Sequence, residues 1–112
     1  MIDVVITRQN DGKVLGFDVS GHANPEYVEG TDIVCAAVSA LVNSVNVSLT
    51  KHLHCNLLED EDDGWASMVL QNQEPNDLTE AVFSVAVLGF KEIERHYPEC
   101  IHVIDCGGET QC

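Results

Sequence analysis

Basic residues are scarce: five lysines and arginines stand against nineteen aspartates and glutamates, a formal net charge of −14 over 112 residues. Such a surface repels a phosphate backbone at cellular ionic strength, so direct nucleic-acid binding is not expected. The cysteines at 35, 55, 100, 106 and 112 contain no CxxC pair. His52, His54 and Cys55 form a suggestive cluster to which Cys100 or Cys106 could add ligands, but zinc sites usually show CxxC or HxxxH spacing. Neither a metal nor another cofactor is expected. An odd cysteine count and the lack of an apolar leader after Met1 fit a reducing cytoplasm. Asn43, Ser44 and Asn46 break the longest apolar run short of the ~20 residues of a membrane span, so no membrane partner is expected. There is no internal repeat and no low-complexity tract.

A 45% hydrophobic content over 112 residues supports one compact domain, since two cores would each be too small to be stable alone. Residues 1–8 and 13–20 alternate apolar and polar side chains around Asn10-Asp11-Gly12, which predicts a β-hairpin. Residues 32–52 hold no glycine or proline, and Val34, Val38, Leu41, Val45 and Leu49 recur at three- and four-residue steps. That stretch is too long for a buried strand and reads as a helix, capped by Asp32 or Thr31. Residues 54–59 and 65–71 predict a second hairpin that packs Trp65, Met68 and Leu70. The acidic run Glu59-Asp60-Glu61-Asp62-Asp63 is its solvated turn, since a Ca²⁺ loop would need spaced ligands and a closing bidentate Glu. Pro75-Asn76-Asp77 opens a second helix with an apolar stripe of Leu78, Val82, Val85, Leu88 and Ile93, stopped by Pro98. Ile101 to Ile104 could add a short last strand, and 106–112 reads as a flexible tail. The expected fold is α+β, a two-layer sandwich in which two helices pack on a mostly antiparallel sheet.

The chemistry concentrates in Gly21-His22-Ala23 and Gly30-Thr31-Asp32-Ile33-Val34-Cys35-Ala36-Ala37. A cysteine near a helix N-terminus meets partial positive charge and free amides, the setting in which a thiol becomes a thiolate and a nucleophile. With Asp32 as the cap, Cys35 would be the third residue inside the helix. The free amides there could also donate to the oxyanion of a tetrahedral intermediate. Against this stands a small cysteine facing the core beside Val34 and Val38. His22 gains weight as a base only with Cys35. Asp32 could cap the helix or orient an imidazolium, and Ser39, one turn beyond Cys35, could bond within the site or to a carbonyl of its own helix.

The string GHA…GTDIVCAAVS resembles the ribosomal-processing cysteine protease family of Firmicutes and related bacteria, also called the Prp or YsxB-like family. The similarity in element order extends over roughly residues 1–105. It implies an endopeptidase that removes a short N-terminal extension from large-subunit ribosomal protein twenty-seven, cutting after a hydrophobic, Phe-rich stretch. By the same resemblance Cys35 is the nucleophile, His22 the general base and later acid, and Asp32 and Ser39 supporting residues. Gly21, Ala23, Gly30 and Ala36 would contact substrate, and the enzyme would be a cytoplasmic homodimer with a mobile loop between the His and the Cys. Thr31 and Ala37 depart from the family pattern, in places that bear on loop flexibility and substrate fit. The basic ribosomal protein would be drawn to an acidic enzyme. The competing expectation is a non-catalytic acidic module that binds a basic ribosomal protein or an assembly intermediate.

Overall fold

The computed structural model describes residues 1–21, 30–62 and 64–106. His22, Ala23, the loop expected to be mobile up to Gly30, and the tail beyond residue 106 lie outside the described residues. Strands β1 (Ile2–Arg8) and β2 (Val14–Ser20) form the first hairpin, with Gly12 at φ 92° in its turn. Left-handed backbone there is what glycine accommodates without a Cβ penalty. Ile2, Val4 and Ile6 point to the buried face of β1, as strand periodicity requires. A register shift at Thr7 and Arg8 brings Val14 onto that same face together with Phe17.

Strands β3 (Leu57–Asp62) and β4 (Trp65–Leu70) form the second hairpin, and β5 (Ile101–Cys106) runs parallel to β1. The open sheet has the order β3-β4-β2-β1-β5. Helices α1 (Thr31–Val47) and α2 (Asp77–His96) cover one face, which makes the expected two-layer α+β fold. Phe17 meets Phe83 and Phe90 edge-on, at centroid distances of 6.0 and 5.4 Å. All three rings are buried, each contributing roughly 1.5–3 kcal/mol by leaving water.

Four expectations are corrected. The acidic run is not a turn: Glu59 to Asp62 lie within β3, where pairing to β4 supplies backbone partners while the carboxylates of this edge strand remain exposed. The buried stripe of α2 is Thr79, Phe83, Ala86, Val87 and Phe90; Leu78, Val85 and Leu88 are 64%, 68% and 65% exposed. Val82 and Ile93 pack at the core's margin. Trp65 is 38% exposed rather than packed. Finally, α1 continues through a π-helical turn, Ser48–His52, and an 18-residue window within Asp32–His52 is strongly apolar with only 22% of it buried. By length and composition it could cross a membrane despite Asn43, Ser44 and Asn46, although Val34, Val38, Val45 and Leu49 are buried in the core beneath it.

On the β5 side, Arg8 ties the layers together. Its Nε and Nη2 donate to the two oxygens of Asp105 at 2.8 and 3.0 Å, and Nη1 donates to the Gly12 carbonyl at 2.8 Å. Lys91 Nζ of α2 reaches the same carboxylate at 2.7 Å. The Arg8 hydrogen bonds, with help from Lys91, lower the Asp105 pKa to about 2.

Candidate active site

Helix α1 begins two residues earlier than a cap at Asp32 would place it, and one earlier than a cap at Thr31. Its N-cap is Gly30, at φ 93°, and the first ladder bond runs from Val34 N–H to the Gly30 carbonyl at 2.9 Å. Asp32 is therefore not the cap; it is an exposed residue of the first turn, where its charge suits the positive end of the helix. Cys35 is the fifth helical residue, not the third, and its own amide falls inside the hydrogen-bonded ladder. The amides of Thr31, Asp32 and Ile33 precede that ladder, and no side chain caps them among the described residues. They lie within about one turn of Cys35, ~3 to ~6 Å along the axis at 1.5 Å per residue. Helical side chains lean toward the N-terminus, which tilts the thiol toward those amides.

Cys35 is half-buried, and its thiol has no hydrogen-bond partner among the described residues. Cys100, by contrast, is buried. One flank of Cys35 packs against the core, so the core reading was partly right, but the residue also opens on a cleft of about 290 Å³ between α1 and the second hairpin. Positions 35, 38, 39, 42 and 43 of α1 form one wall, a helical face at three- and four-residue spacing. Glu61 and Asp62 of β3, with Trp65 and Ala66 of β4, face them. Ser39 lines the cleft, and its side chain makes no hydrogen bond to another of the described residues.

A second cavity of about 470 Å³ shares Val42, Asn43, Glu61 and Ala66 with this cleft and extends it past Asn46 and Glu59. From Cys35 to Asn46 the groove follows α1 for ~16 Å, room for about five extended residues of peptide. Glu59 pairs across from buried Met68, and Glu61 from Ala66, which puts both glutamates on the helix-bearing side of the sheet. Four of the five basic residues, Arg8, Lys13, Lys91 and Arg95, are engaged with carboxylates elsewhere, and the fifth, Lys51, is exposed beyond the end of α1 and lines neither cavity. The groove's outer wall is thus strongly negative.

The two glycines that flank His22 and its loop occupy different places. Gly21, at φ 141°, lines the Cys35 cleft and donates its N–H to the Gly64 carbonyl at 2.9 Å, so β2 is pinned to the turn of the second hairpin. Gly30 lines a separate cavity beside Tyr97 and Ile33. Ala36 is exposed and not part of the cleft wall. Sequence reasoning missed Val42, Asn43, Glu61 and Asp62. The first two follow Cys35 at helical spacing and were detectable; the acids arrive from another element.

A half-buried thiol opening into a groove long enough for a peptide suits thiol chemistry on a peptide, and comparison with known proteins defines the class as cysteine protease. Residues 1–102 match the family profile described as cysteine protease Prp. The chain is 32% identical over 105 residues to the ribosomal processing cysteine protease Prp of Staphylococcus aureus strain Mu50, covering 92% of this chain and 97% of that protein. Two solved structures of the essential ribosomal processing protease Prp from S. aureus share the fold. The complex with a substrate peptide aligns with a TM-score of 0.79 at 29% identity, and the complex with a covalently linked product peptide with 0.77 at 30%; each covers 94% of this chain and 99% of the other. The chain belongs to the Prp cysteine protease family.

Proposed function

We propose that this protein is the endopeptidase that removes the short N-terminal extension of large-subunit ribosomal protein twenty-seven, with Cys35 as nucleophile and His22 as base. His22 takes the Cys35 proton, and sulfur attacks the scissile carbonyl to form a tetrahedral intermediate. The first-turn amides of α1 donate to its oxyanion. His22 then returns the proton to the leaving amine as the C–N bond breaks. Water, deprotonated by His22, hydrolyses the thioester and frees the thiol. Asp32 and Ser39 support this pair, the first by its charge beside the start of α1.

What carries the reading is the opening of Cys35 and Ser39 into one groove long enough for an extended peptide. The relatives in complex with substrate and product peptides support it. Glu59 and Glu61 along that groove suit a basic substrate. The test is mass spectrometry of the extended ribosomal protein after incubation with the enzyme. One cut after the apolar segment is expected, and Cys35→Ala should abolish it while peptide binding persists. Cleavage that survives in Cys35→Ala would overturn the assignment. Electrostatic steering adds a second check: kcat/KM should fall as salt rises from ~10 to ~150 mM and the Debye length shrinks from ~30 to ~8 Å. A flat response would remove the role of charge.

The proposal includes a cytoplasmic homodimer. Cys35 and Cys55, which form no disulfide among the described residues, accord with a reducing compartment. Exposed Val85 and Leu88, beside an apolar groove of about 460 Å³ lined by Ala37, Ala40, Leu41 and Gly89, accord with self-association. Sedimentation at micromolar concentration should give twice the chain mass; a monomer there would refute the dimer.

A further inference from the structure

We propose that Tyr97 is a positioning residue for the thiol helix: its ring, laid against Gly30, fixes where α1 begins and so where Cys35 and the first-turn amides sit. The proposal rests on the assignment of Cys35 above.

Gly30 is the N-cap of α1, and no side chain caps the helix start among the described residues. What meets Gly30 instead is an aromatic ring from the far end of α2. A Cβ built on Gly30 would lie 2.7 and 2.8 Å from Cε1 and Cδ1 of Tyr97, so the ring occupies the space a side chain would need. The glycine is required twice over, by its left-handed φ of 93° and by this contact.

Tyr97 is itself held by its backbone. Its N–H donates to the Ile93 carbonyl at 2.8 Å, and its carbonyl accepts from Cys100 N–H at 2.9 Å and Ile101 N–H at 3.3 Å. Those bonds end α2 and begin β5, whose register against β1 runs from Ile101 opposite Ile2. A chain of fixed contacts therefore leads from the sheet through Tyr97 to Gly30 and into the first turn of α1. The ring meets Gly30 through its Cδ1–Cε1 edge, with Cζ farther off at 3.9 Å, so the contact is made by ring carbons and not by the hydroxyl.

The experiment compares Tyr97→Phe, Tyr97→Leu and Tyr97→Ala by amide exchange and by steady-state cleavage of a substrate peptide. Removing the ring should speed exchange of amides in residues 31–34 by about tenfold beyond any change across Phe83 to Phe90, because only the helix start is released. It should lower kcat about tenfold with KM within about twofold, as misplacement of reacting groups does. Tyr97→Phe should restore both to near the parent values. Tyr97→Leu keeps the site apolar and covers the case in which Tyr97→Ala does not fold. A double-mutant cycle with Gly30→Ala supplies the decisive coupling: the alanine should cost markedly less where the ring is already gone. Uniform acceleration of exchange across both helices, failure of Phe to rescue, or strict additivity in the cycle would each overturn the proposal. Exchange is read without any substrate, so the positioning role stands or falls even if the parent protein cleaves no ribosomal peptide.

Discussion

At the start of α2, Asn76 Oδ1 accepts from the amides of Leu78 and Thr79 at 2.9 and 3.0 Å, and Thr79 Oγ1 accepts from Asn76 N–H at 2.9 Å. At the start of α1, Gly30 offers no side chain, and the contact that shapes it comes from Tyr97, 67 residues away in the sequence. The helix that covers the sheet closes its own end with a capping box written into four consecutive residues. The helix that carries Cys35 leaves its first amides without a side-chain acceptor among the described residues and takes its position from the tertiary structure. Locally satisfied amides stabilise a helix but cannot also bind a developing oxyanion, so a thiol site gains by leaving them open.

The largest effect should come from the uncapped end. Gly30→Ala places a β-carbon at positive φ and against the Tyr97 ring, and should cost about 2 kcal/mol of stability, with cleavage impaired in the molecules that remain folded. An unchanged urea midpoint would show that the glycine is incidental and would erase the contrast between the helices. Asn76→Ala at the capped end should cost about 1 kcal/mol by thermal or urea unfolding and leave kcat/KM untouched. A drop in kcat/KM there would mean that the capped helix also serves the site.

The smallest effect tests a contact that belongs to neither helix start. Asp105 is held at about pKa 2 by Arg8 and Lys91. A carboxylate with a depressed folded-state pKa contributes stability that is fully present above its unfolded value of ~3.9 and is lost as pH falls through about 2. Since the carboxylate is partly exposed, solvent screening reduces that contribution to about 1 kcal/mol. Asp105→Asn should therefore be less stable than the parent at pH 7, with the two converging as pH drops from ~4 to ~2. Parallel curves across that interval would show that the ion pair is energetically idle.

Both helices were legible in the sequence, but only one of them in its correct phase. In α1 the valines at 34, 38 and 45 are buried as their spacing requires. In α2 the largest aliphatics misled: Leu78, Val85 and Leu88 face outward, while Thr79 and Ala86 go inside because Phe17 of the sheet meets Phe83 and Phe90 on that side. The acidic run misled in the same way. Its charges suggested a turn, yet pairing to β4 outweighs the low strand propensity of Asp and Glu when every carboxylate can stay in water. Within the site, the wall contributed by α1 could be read from helical spacing, whereas Glu61 and Trp65 reach the cleft only through the hairpin's packing.

By itself the sequence determined the inventory of elements, the turn of the first hairpin, the cap of α2 and the thiol on a glycine-free helix, because each depends on residues a few positions apart. The tertiary structure decided which face of α2 is buried, that an acidic edge strand lies opposite Cys35, and that α1 starts at Gly30 beneath Tyr97. Those outcomes depend on contacts between segments tens of residues apart, whose energies no local pattern encodes.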